Sequence, residues 1–360
     1  MINKTVKAGI IGCGNIANNK HMPALMKIPE ARLAAFCDIY EDRAYKAAKA
    51  FGITGSKTYA DYKDMLADPS IDVVHVCTPN KSHSFITVDA LNAGKHVLCE
   101  KPMAKSAADA RKMLDASKAS GRLLSVGYQN RYRADSTYLK KACERGDLGE
   151  VYFAKAHAIR RRKVPTWGVF LNEEEQGGGP LIDIGTHALD LTLWFMDNYQ
   201  PKSVVGSVYK KLNDNGQCGN AFGPWNPEDF TVEDSAFGYV TMRNGATIFL
   251  ESSWALNTLE EGEAITTLCG TKAGADMRDG LRVNFDEFDK LVVKKPDLEN
   301  AGVAFTSSVT ENPEVIEQRV FYDAVLYGRP LVVLPEQALV VTQILEAIYR
   351  SGKTGQPVNF

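Results

Sequence analysis

Two groups of residues in this 360-residue sequence have the types and the spacing that chemistry requires, and the first is the turn 12–17 (GCGNIA). In a Gly-x-Gly-x-x-Gly/Ala pattern, Gly12 allows a tight turn, Gly14 lets the backbone approach a pyrophosphate, and small Ala17 lets a helix pack closely on the preceding strand. The phosphates would lie at the N-terminus of the helix predicted to begin near Asn18. The pattern alone is weak evidence, so its surroundings must support it.

An acidic residue stands where a dinucleotide site needs one. The run Arg32–Cys37 predicts a second strand, and Asp38 follows it about 20 residues after the glycine turn. A carboxylate there accepts hydrogen bonds from the adenosine ribose hydroxyls and repels a 2′-phosphate, which favours NAD over NADP. Arg43 lies close enough in the sequence to leave the use of NADP open, although a surface arginine on a helix is its simpler role.

The second group is the pair Asp183 and His187, which follows the flexible entry Gly177–Pro180. Proline suits the first turn of a helix, and a spacing of four residues puts both side chains on one helical face. A neutral imidazole titrates near physiological pH, so such a pair can transfer protons. The alternative is a histidine whose hydrogen bonds are satisfied inside an apolar helix, and the spacing alone favours that alternative.

The elements that position the glycine turn alternate between strands and helices. Strands are predicted at 6–11, 32–37, 71–77, 96–99 and 123–127, and helices at 41–51, from the turn 78–80 to about 92, and at 106–120. Alternation with short turns predicts a doubly wound parallel sheet, which binds ligands at the carboxyl ends of its strands. The turns 78–80, 100–102 and 128–131 follow such ends and together outline one crevice.

The chain changes character after about residue 130. Strand-like runs then follow one another with few helices between them, at 151–161, 202–209, 235–243, 246–254 and 264–269. This order predicts an antiparallel sheet in a separate α+β unit. The predicted fold class is therefore α/β, with a dinucleotide-binding Rossmann domain at 1–128 and an α+β domain at 129–360.

The composition excludes several classes of protein. The chain has 42 Lys+Arg and 44 Asp+Glu, a net charge of −2, which argues against a surface for nucleic acid or anionic membrane. No apolar run approaches the ~18 residues of a membrane helix, and the N-terminus lacks the features of a signal peptide. The seven cysteines form no Cys-x-x-Cys pair and the six histidines are scattered, so we expect a cytoplasmic protein without a metal site.

Four longer motifs resemble one family. They are TPNKSH at 78–83, GKHVLCEKPMAKS at 94–106, GGGPLIDIGTHALD at 177–190 and VEDSA at 232–236. With the glycine turn they span most of the chain, and they resemble the glucose–fructose oxidoreductase / inositol dehydrogenase (Gfo/Idh/MocA) oxidoreductases. The resemblance implies an N-terminal Rossmann domain and a C-terminal α+β substrate domain. The large, mostly antiparallel open sheet of that second domain commonly mediates homodimers or homotetramers.

The resemblance also implies the site residues. It places catalysis on Lys101, Asp183 and His187. It places the cofactor, NAD with NADP left open, on the strand ends, at Gly12, Gly14, Asn15, Ile16, Asp38, Thr78, Pro79, Asn80, His83, Glu100, Lys101 and Gln129. Asn80 and His83 have a second possible role, capping the helix that follows, and both roles can hold at once.

The three implied catalytic residues suit the oxidation of a secondary alcohol. A hydride leaves the carbinol carbon and the hydroxyl proton must go to a base, for which neutral His187 is suited. Lys101 supplies a positive charge where the alkoxide develops. Asp183 would orient the imidazole or bind a second hydroxyl of the substrate. A buried Lys101 of depressed pKa could itself be the base, and the sequence does not choose between these roles.

Three further residues are candidates for contacts with the substrate. Arg131 follows a strand end close to Gln129, and Arg160 and Trp167 follow a strand that faces the predicted crevice. Trp167 would stack on a sugar ring. The alternatives for this segment are a contact between subunits and a solvated, charged strand end.

The expected function is oxidation of a ring hydroxyl of a polyol, inositol, sugar or glycoside by a nicotinamide-dependent dehydrogenase. One alternative is an enzyme that uses retained NAD in a transient oxidation, with glycosidic cleavage or epimerisation as the net reaction. Another is a regulator that binds NAD without catalysis. Retention of Lys101, Asp183 and His187 argues against the regulator.

Overall fold

The computed structural model describes residues 4–298 and 311–360. These residues form two compact units. Unit 1 contains residues 4–132 and 311–339, and unit 2 contains residues 133–298 and 340–360.

Unit 1 contains a parallel sheet of six strands. They are β1 (Val6–Ile11), β2 (Ala31–Cys37), β3 (Lys57–Tyr59), β4 (Val73–Val76), β5 (His96–Cys99) and β6 (Leu124–Val126). Their order across the sheet is β3-β2-β1-β4-β5-β6, and every neighbouring pair is parallel. This is the strand order of a Rossmann domain, so the predicted doubly wound sheet is confirmed.

The register of this sheet brings the carboxyl ends of its strands together. Ile11 pairs with Cys37 on one side and with Val76 on the other. Val76 pairs in turn with Cys99. The glycine turn, Asp38 and the turns after β4 and β5 therefore lie along one edge of the sheet.

Helices connect the strands of unit 1, because a parallel sheet needs a crossover between successive strands. They are the π-helix Ala17–His21, α1 (Met22–Leu25), α2 (Glu41–Phe51), α3 (Tyr62–Leu66), α4 (Asn80–Asn92), α5 (Ala107–Ser120) and a 3-10 helix, Gln129–Tyr132. The predicted bounds 41–51 and the predicted end of α4 near Asn92 are confirmed. The first helical turn begins at Asn15, earlier than the predicted Asn18.

A helix from late in the chain, α9 (Pro313–Tyr327), belongs to unit 1. The predicted boundary placed all of 129–360 in the second domain, so residues 311–339 differ from that expectation. Phe321 and Tyr322 of α9 lie in the same apolar cluster as residues of β1, β2 and β5. The apolar pattern of the sequence predicts this helix but does not say which core it covers.

Unit 2 contains a sheet of nine strands. They are β7 (Val151–Ile159), β8 (Pro201–Tyr209), β9 (Ser235–Met242), β10 (Thr247–Ser253), β11 (Gly262–Gly270), β12 (Ala273–Asp276), β13 (Arg282–Glu287), β14 (Lys290–Lys294) and β15 (Val358–Asn359). Their order is β14-β13-β12-β11-β7-β10-β9-β8-β15. The pair β7 and β10 is parallel and the other pairs are antiparallel, which confirms the large, mostly antiparallel sheet.

The helices of unit 2 accompany this sheet. They are α6 (Ala134–Glu144), α7 (Glu173–Gln176), the π-helix Leu181–Gly185, α8 (Thr186–Met196), the 3-10 helix Pro227–Asp229 and α10 (Pro335–Thr354), whose first residues belong to unit 1. Helix α8 packs on β7 and β11. Within the described ranges, no helix has both the length and the apolar character needed to cross a membrane.

Candidate active site

The two glycines of the turn 12–17 meet different surroundings. Gly12 has φ 90°, and a Cβ there would lie 2.7 Å from the carbonyl oxygen of Cys77, so the fold itself requires glycine. A Cβ on Gly14 would meet no atom within 4 Å, and the neighbouring Asn15 is exposed. Gly14 therefore borders open space at the start of a helical turn, and this space suits the pyrophosphate of NAD.

Asp38 directs its carboxylate at the glycine turn. Its Oδ2 accepts a hydrogen bond from the Cys13 amide at 2.9 Å, and its Oδ1 accepts one from the Tyr40 amide at 2.9 Å. Each carboxylate oxygen keeps a second lone pair, so Asp38 can also accept hydrogen bonds from ribose hydroxyls. The next residue, Ile39, is 81% exposed and offers apolar surface to a planar base.

The turns after β4 and β5 are braced by His83. Its buried ring places Nδ1 2.8 Å from the carbonyl oxygen of Pro102 and Nε2 2.9 Å from that of Thr78. Burial lowers the pKa of the ring, although the two carbonyl contacts oppose this shift. The structure thus gives His83 a bracing role in place of the predicted cofactor contact. Pro79 and Asn80, at the start of α4, belong to the same braced turn.

Glu100 lies beside Lys101 in a buried network of charged side chains. Its Oε1 accepts a hydrogen bond from Lys20 Nζ at 2.8 Å and contacts His21 Nε2 at 2.7 Å. Its Oε2 accepts a hydrogen bond from the Lys101 amide at 3.2 Å. The carboxylate predicted to bind the cofactor is therefore occupied within the protein, where it positions the backbone of Lys101.

Lys20 holds two carboxylates at once. Its Nζ also lies 3.2 Å from Glu317 Oε2 and 3.3 Å from Gln129 Oε1. Burial disfavours the charge of Lys20, but Glu100 and Glu317 raise its pKa overall. Burial also opposes the charge of Glu100, yet Lys20 and His21 hold the pKa of that carboxyl well below its ordinary value. Burial raises the pKa of Glu317 to about 7 despite the neighbouring Lys20.

Two histidines extend this network to α9. His21 Nδ1 lies 3.1 Å from His75 Nδ1, and His75 Nε2 lies 3.0 Å from the hydroxyl of Tyr322. Burial lowers the pKa of both rings, so both are neutral. The contacts then form a consistent series of donors, in which Tyr322 donates to His75, His75 to His21, and His21 to Glu100.

The residues predicted after β6 have separate environments. Gln129 contacts Lys20, as described above, and remains part of the edge that carries the glycine turn. Arg131 is fully buried, and its Nη1 donates to the carbonyl oxygen of Val332 at 2.9 Å and to Gln337 Oε1 at 2.7 Å. The predicted substrate contact of Arg131 is therefore corrected to an internal role that fixes a neighbouring segment of unit 1.

In unit 2, an open stripe crosses the otherwise buried helical segment 181–195. Asp183 and His187 are half-buried, and every other residue of this segment is buried. The pair therefore shares one face, as the spacing predicts, and that face is not covered by the core of unit 2. The alternative of a histidine enclosed in the core does not fit. Asp183 lies in the π-helix, a local widening that is frequent at functional sites.

Two side chains near the sheet set the surroundings of Asp183. The indole Nε1 of the buried Trp254 donates a hydrogen bond to Asp183 Oδ2 at 3.0 Å, which fixes the orientation of the carboxylate. Arg160 forms a bidentate salt bridge with Glu263, in which Nε and Nη2 donate to the two carboxylate oxygens at 2.7 and 2.8 Å. Burial would lower the pKa of Arg160, but Glu263 and the charge of Asp183 raise it. Arg160 therefore contributes positive potential at Asp183.

A buried carboxylate caps the start of this segment. Glu233 accepts hydrogen bonds from the amides of Gly179 at 2.8 Å and Leu181 at 3.1 Å, and from the Tyr349 hydroxyl at 2.7 Å. A Cβ on Gly179 would lie 2.2 Å from the carbonyl oxygen of Glu233, so only glycine fits. Burial raises the pKa of Glu233, and the three donors oppose that shift. The cap fixes the first turn of the helical segment that carries Asp183 and its partner.

No metal-binding cluster occurs in the part of the chain that the structure covers, where no three His, Cys, Asp or Glu side chains are arranged around one point. The seven cysteines are free, and four of them are buried. Burial raises the pKa of Cys13 to about 12, which leaves this thiol protonated and unreactive.

Two family models match the chain. The oxidoreductase family with an NAD-binding Rossmann fold matches residues 6–128, and the GFO/IDH/MocA C-terminal domain matches residues 137–276. Together they span well over half of the sequence. The chain belongs to the Gfo/Idh/MocA family. As a Gfo/Idh/MocA protein it is an NAD-dependent oxidoreductase, as the resemblance of its motifs implies.

Several Gfo/Idh/MocA proteins are similar to this chain. D-glucoside 3-dehydrogenase of Escherichia coli (strain K12) is 34% identical over 359 residues, which are 99% of this chain and 98% of the relative. Glucose-6-phosphate 3-dehydrogenase of Bacillus subtilis (strain 168) is 35% identical over 214 residues, 58% of each chain. The structure of aldose-aldose oxidoreductase from Caulobacter crescentus, complexed with glycerol, has a TM-score of 0.80 at 25% identity, covering 99% of this chain and 100% of the other.

Sequence reasoning missed four residues that position the predicted site residues, two in unit 1 and two in unit 2. Lys20 and Glu317 meet only in the folded protein, so no local pattern could pair them. A charged residue inside the buried face of α9 was the one available signal for Glu317. Trp254 ends a strand, and the VEDSA motif draws attention to Glu233 without indicating its role.

Proposed function

We propose that this protein is a dehydrogenase that oxidises the hydroxyl at carbon 3 of a D-glucoside, with NAD as hydride acceptor. The observation that carries the proposal is the open pair Asp183 and His187 on a buried helical segment of a Gfo/Idh/MocA chain. The identity of 34% to D-glucoside 3-dehydrogenase, along nearly the whole length of both chains, supports the substrate class.

The proposed chemistry divides the work among three side chains. When bound, the nicotinamide accepts the hydride of the carbinol carbon. His187 takes the hydroxyl proton, and Asp183, fixed by Trp254, orients the imidazole or a second hydroxyl of the sugar. Lys101, whose backbone Glu100 holds, stabilises the developing alkoxide. Lys101 is the second candidate for the base, and the turnover of His187→Asn and Lys101→Met distinguishes the two.

A neutral glucoside suits this chain better than a sugar phosphate. The basic run 160–163 begins at Arg160, which interacts electrostatically with Asp183. Arg160 is committed to Glu263, and Lys163 pairs with Glu261 at 2.9 Å. A phosphate is held by cations that are free to bind it, often in a bidentate way. Two of the four cations of this run are therefore paired with carboxylates, and Arg162 contacts Asn257 and Cys218, which reduces the donors left for a phosphate group.

Asp38 sets the cofactor preference in this proposal, which leads to a binding prediction. We expect Asp38→Asn to weaken NAD binding by about tenfold, because the charged acceptor of the ribose hydroxyls is lost. Binding of NADP should weaken less or improve, since the repulsion of its 2′-phosphate disappears. Titration calorimetry with both cofactors measures the change, with Asp42→Asn on the exposed first turn of α2 as the matched control. An unchanged ratio of the two affinities would remove Asp38 from the cofactor site.

We also propose a homo-oligomer, a dimer or tetramer, formed through the sheet of unit 2. An apolar stripe crosses three adjacent strands, where Phe249 is 41%, Tyr239 42% and Val205 46% exposed. The rings of Tyr239 and Phe249 lie 5.1 Å apart. Such a contiguous apolar face supports burial against a second copy. The free cysteines support a reducing compartment, for which we propose the cytoplasm.

The experiment that tests the function follows reduced nicotinamide with NAD and three substrates: methyl glucosides, glucose 6-phosphate and myo-inositol. We expect NADH from the glucosides, with a 3-keto product identified by NMR. No NADH, with retained NAD and consumption of a glycoside, would favour the transient-oxidation enzyme. If neither NADH formation nor consumption of a glycoside is observed, the NAD-binding regulator is favoured.

A further inference from the structure

Trp167 and Phe222 form an exposed aromatic pair on two loops of unit 2. Their side chains are 45% and 43% exposed, their ring centroids lie 4.8 Å apart, and their planes meet at 86°. The two rings thus make a corner, with one ring face next to the edge of the other. Burying apolar surface of this size lowers the free energy of the system, so the pair is suited to bind a ligand.

The two loops hold this corner in place. Thr166 Oγ1 donates to the carbonyl oxygen of Phe222 at 2.6 Å. The side chain of Asn220 accepts a hydrogen bond from the Val164 amide at 2.8 Å and donates to the Val164 carbonyl oxygen at 3.0 Å. Because side chain and backbone tie the loops together next to both rings, the pair is preorganised and loses little freedom on binding.

A series of ring contacts joins the corner to Asp183. Trp167 lies 5.9 Å from Phe170, and Phe170 lies 6.4 Å from Trp254, between ring centroids. Trp254 donates the hydrogen bond that orients Asp183, and Phe230, at the end of the second loop, lies 6.3 Å from the same indole. Both loops therefore rest on the side chain that fixes the carboxylate.

We propose that Trp167 and Phe222 bind the aglycone of a glycoside, an aryl group or a second sugar ring, while its oxidised ring lies at Asp183 and His187. The proposal rests on the proposed function and adds to it a preference for substituted glucosides over the free sugar. The negative face of an aromatic ring attracts the positive edge of an aryl group and the C–H face of a pyranose.

The size of the corner favours a small ligand over a second copy of the chain. A stable protein interface buries about 800 Å² on each partner, whereas an aromatic side chain buries about 150–250 Å². Two half-exposed rings supply only part of such an interface. They match the size of one aglycone ring, which can contact a ring face and a ring edge together.

The test compares Trp167→Ala and Phe222→Ala with wild type on methyl and p-nitrophenyl glucosides of both anomers. We expect kcat/KM for the p-nitrophenyl substrate to fall about tenfold in each variant through KM, with kcat and the methyl glucoside values close to wild type. Tyr152→Ala, which removes an exposed aromatic ring at the start of β7, is the matched control. Calorimetric binding of phenyl glucoside to the protein–NAD complex gives a second readout that needs no turnover.

Three outcomes would overturn the aglycone site. Equal losses for methyl and aryl glucosides would mean that the pair only supports the loops. If the ratio of kcat/KM for aryl over methyl glucosides is unchanged but light scattering shows an altered mass of the protein, the aromatic pair belongs to a contact between subunits. If neither this ratio nor the mass of the protein changes, the aromatic pair has no role in binding the aglycone or a second subunit. If wild type oxidises no glucoside, the proposed function fails, and the phenyl glucoside titration of the Trp167→Ala protein still decides the binding site.

Discussion

Replacing His187 with Asn is expected to lower kcat by about 10²- to 10⁴-fold, the range contributed by a positioned general base. Asparagine keeps a polar side chain of similar size but cannot accept the proton of the hydroxyl. Since His187 lies on the open stripe of the segment 181–195, the substitution leaves the core of unit 2 intact. NAD affinity, measured by calorimetry, should stay at the wild-type value.

Parallel variants separate the two possible bases. His157→Asn, at a histidine on β7 that contacts Glu251 at 2.9 Å, is the control of matched residue type and should keep wild-type turnover. If His187→Asn stays active while Lys101→Met does not, the lysine is the base. Full activity in both would contradict the catalytic assignment altogether. In wild type the acidic limb of the pH–rate profile reports protonation of the base, and that limb should disappear with the responsible residue.

Replacing Lys20 with Met should lower the free energy of unfolding by about 3–5 kcal/mol, the cost of leaving a buried charge without its partner. Lys20 is the cation shared by Glu100 and Glu317, at 2.8 and 3.2 Å, and it is nearly excluded from water. Denaturant unfolding measures the change. Lys112→Met, which breaks the exposed pair with Asp109, is the control and should cost less than about 1 kcal/mol.

The loss of unfolding free energy in Lys20→Met should depend on pH in a defined direction. In wild type the pKa of Glu317 is already raised to about 7, and removing the cation raises it further, together with that of Glu100. The folded variant then keeps protons that the unfolded chain releases, so its stability falls as pH rises through the interval above the ordinary carboxyl pKa. The deficit relative to wild type should be smaller at pH ~5.5 than at pH ~8. A deficit that is independent of pH would show that the carboxylates do not need Lys20.

The parts of the fold that local chemistry controls were predictable from the sequence. The helix 41–51 was predicted with both of its ends, because the acidic Glu41 and Asp42 favour its start and Gly52 ends it. The strand 96–99 was predicted equally well, since a continuous apolar run must be buried on both faces of a parallel sheet. The spacing alone identified the pair Asp183 and His187, but only the family resemblance favoured a catalytic role for it.

The parts that depend on distant partners were not predictable. Strands β13 and β14 are short and largely exposed, so neither contains the long apolar run or extended alternation that indicates a strand. Arg131 follows a strand end like a ligand-binding residue, but its partners lie 201 and 206 residues later. The π-helical turns at 17–21 and 181–185 were not predicted, because an apolar helical pattern does not distinguish a π-helix from an α-helix. In both cases the widened turn lies next to residues of the candidate site.

The Glu233 cap also determines when a newly made chain can complete its site. The amides of Gly179 and Leu181 are synthesised 54 and 52 residues before the carboxylate that receives them, and the Tyr349 hydroxyl follows Glu233 by 116 residues. During translation the segment that carries Asp183 is therefore made before its cap, which needs first the turn before β9 and then α10, both synthesised much later. A chain released early, before Tyr349, would keep the residues proposed for chemistry but lack one of the three donors that hold the cap in place.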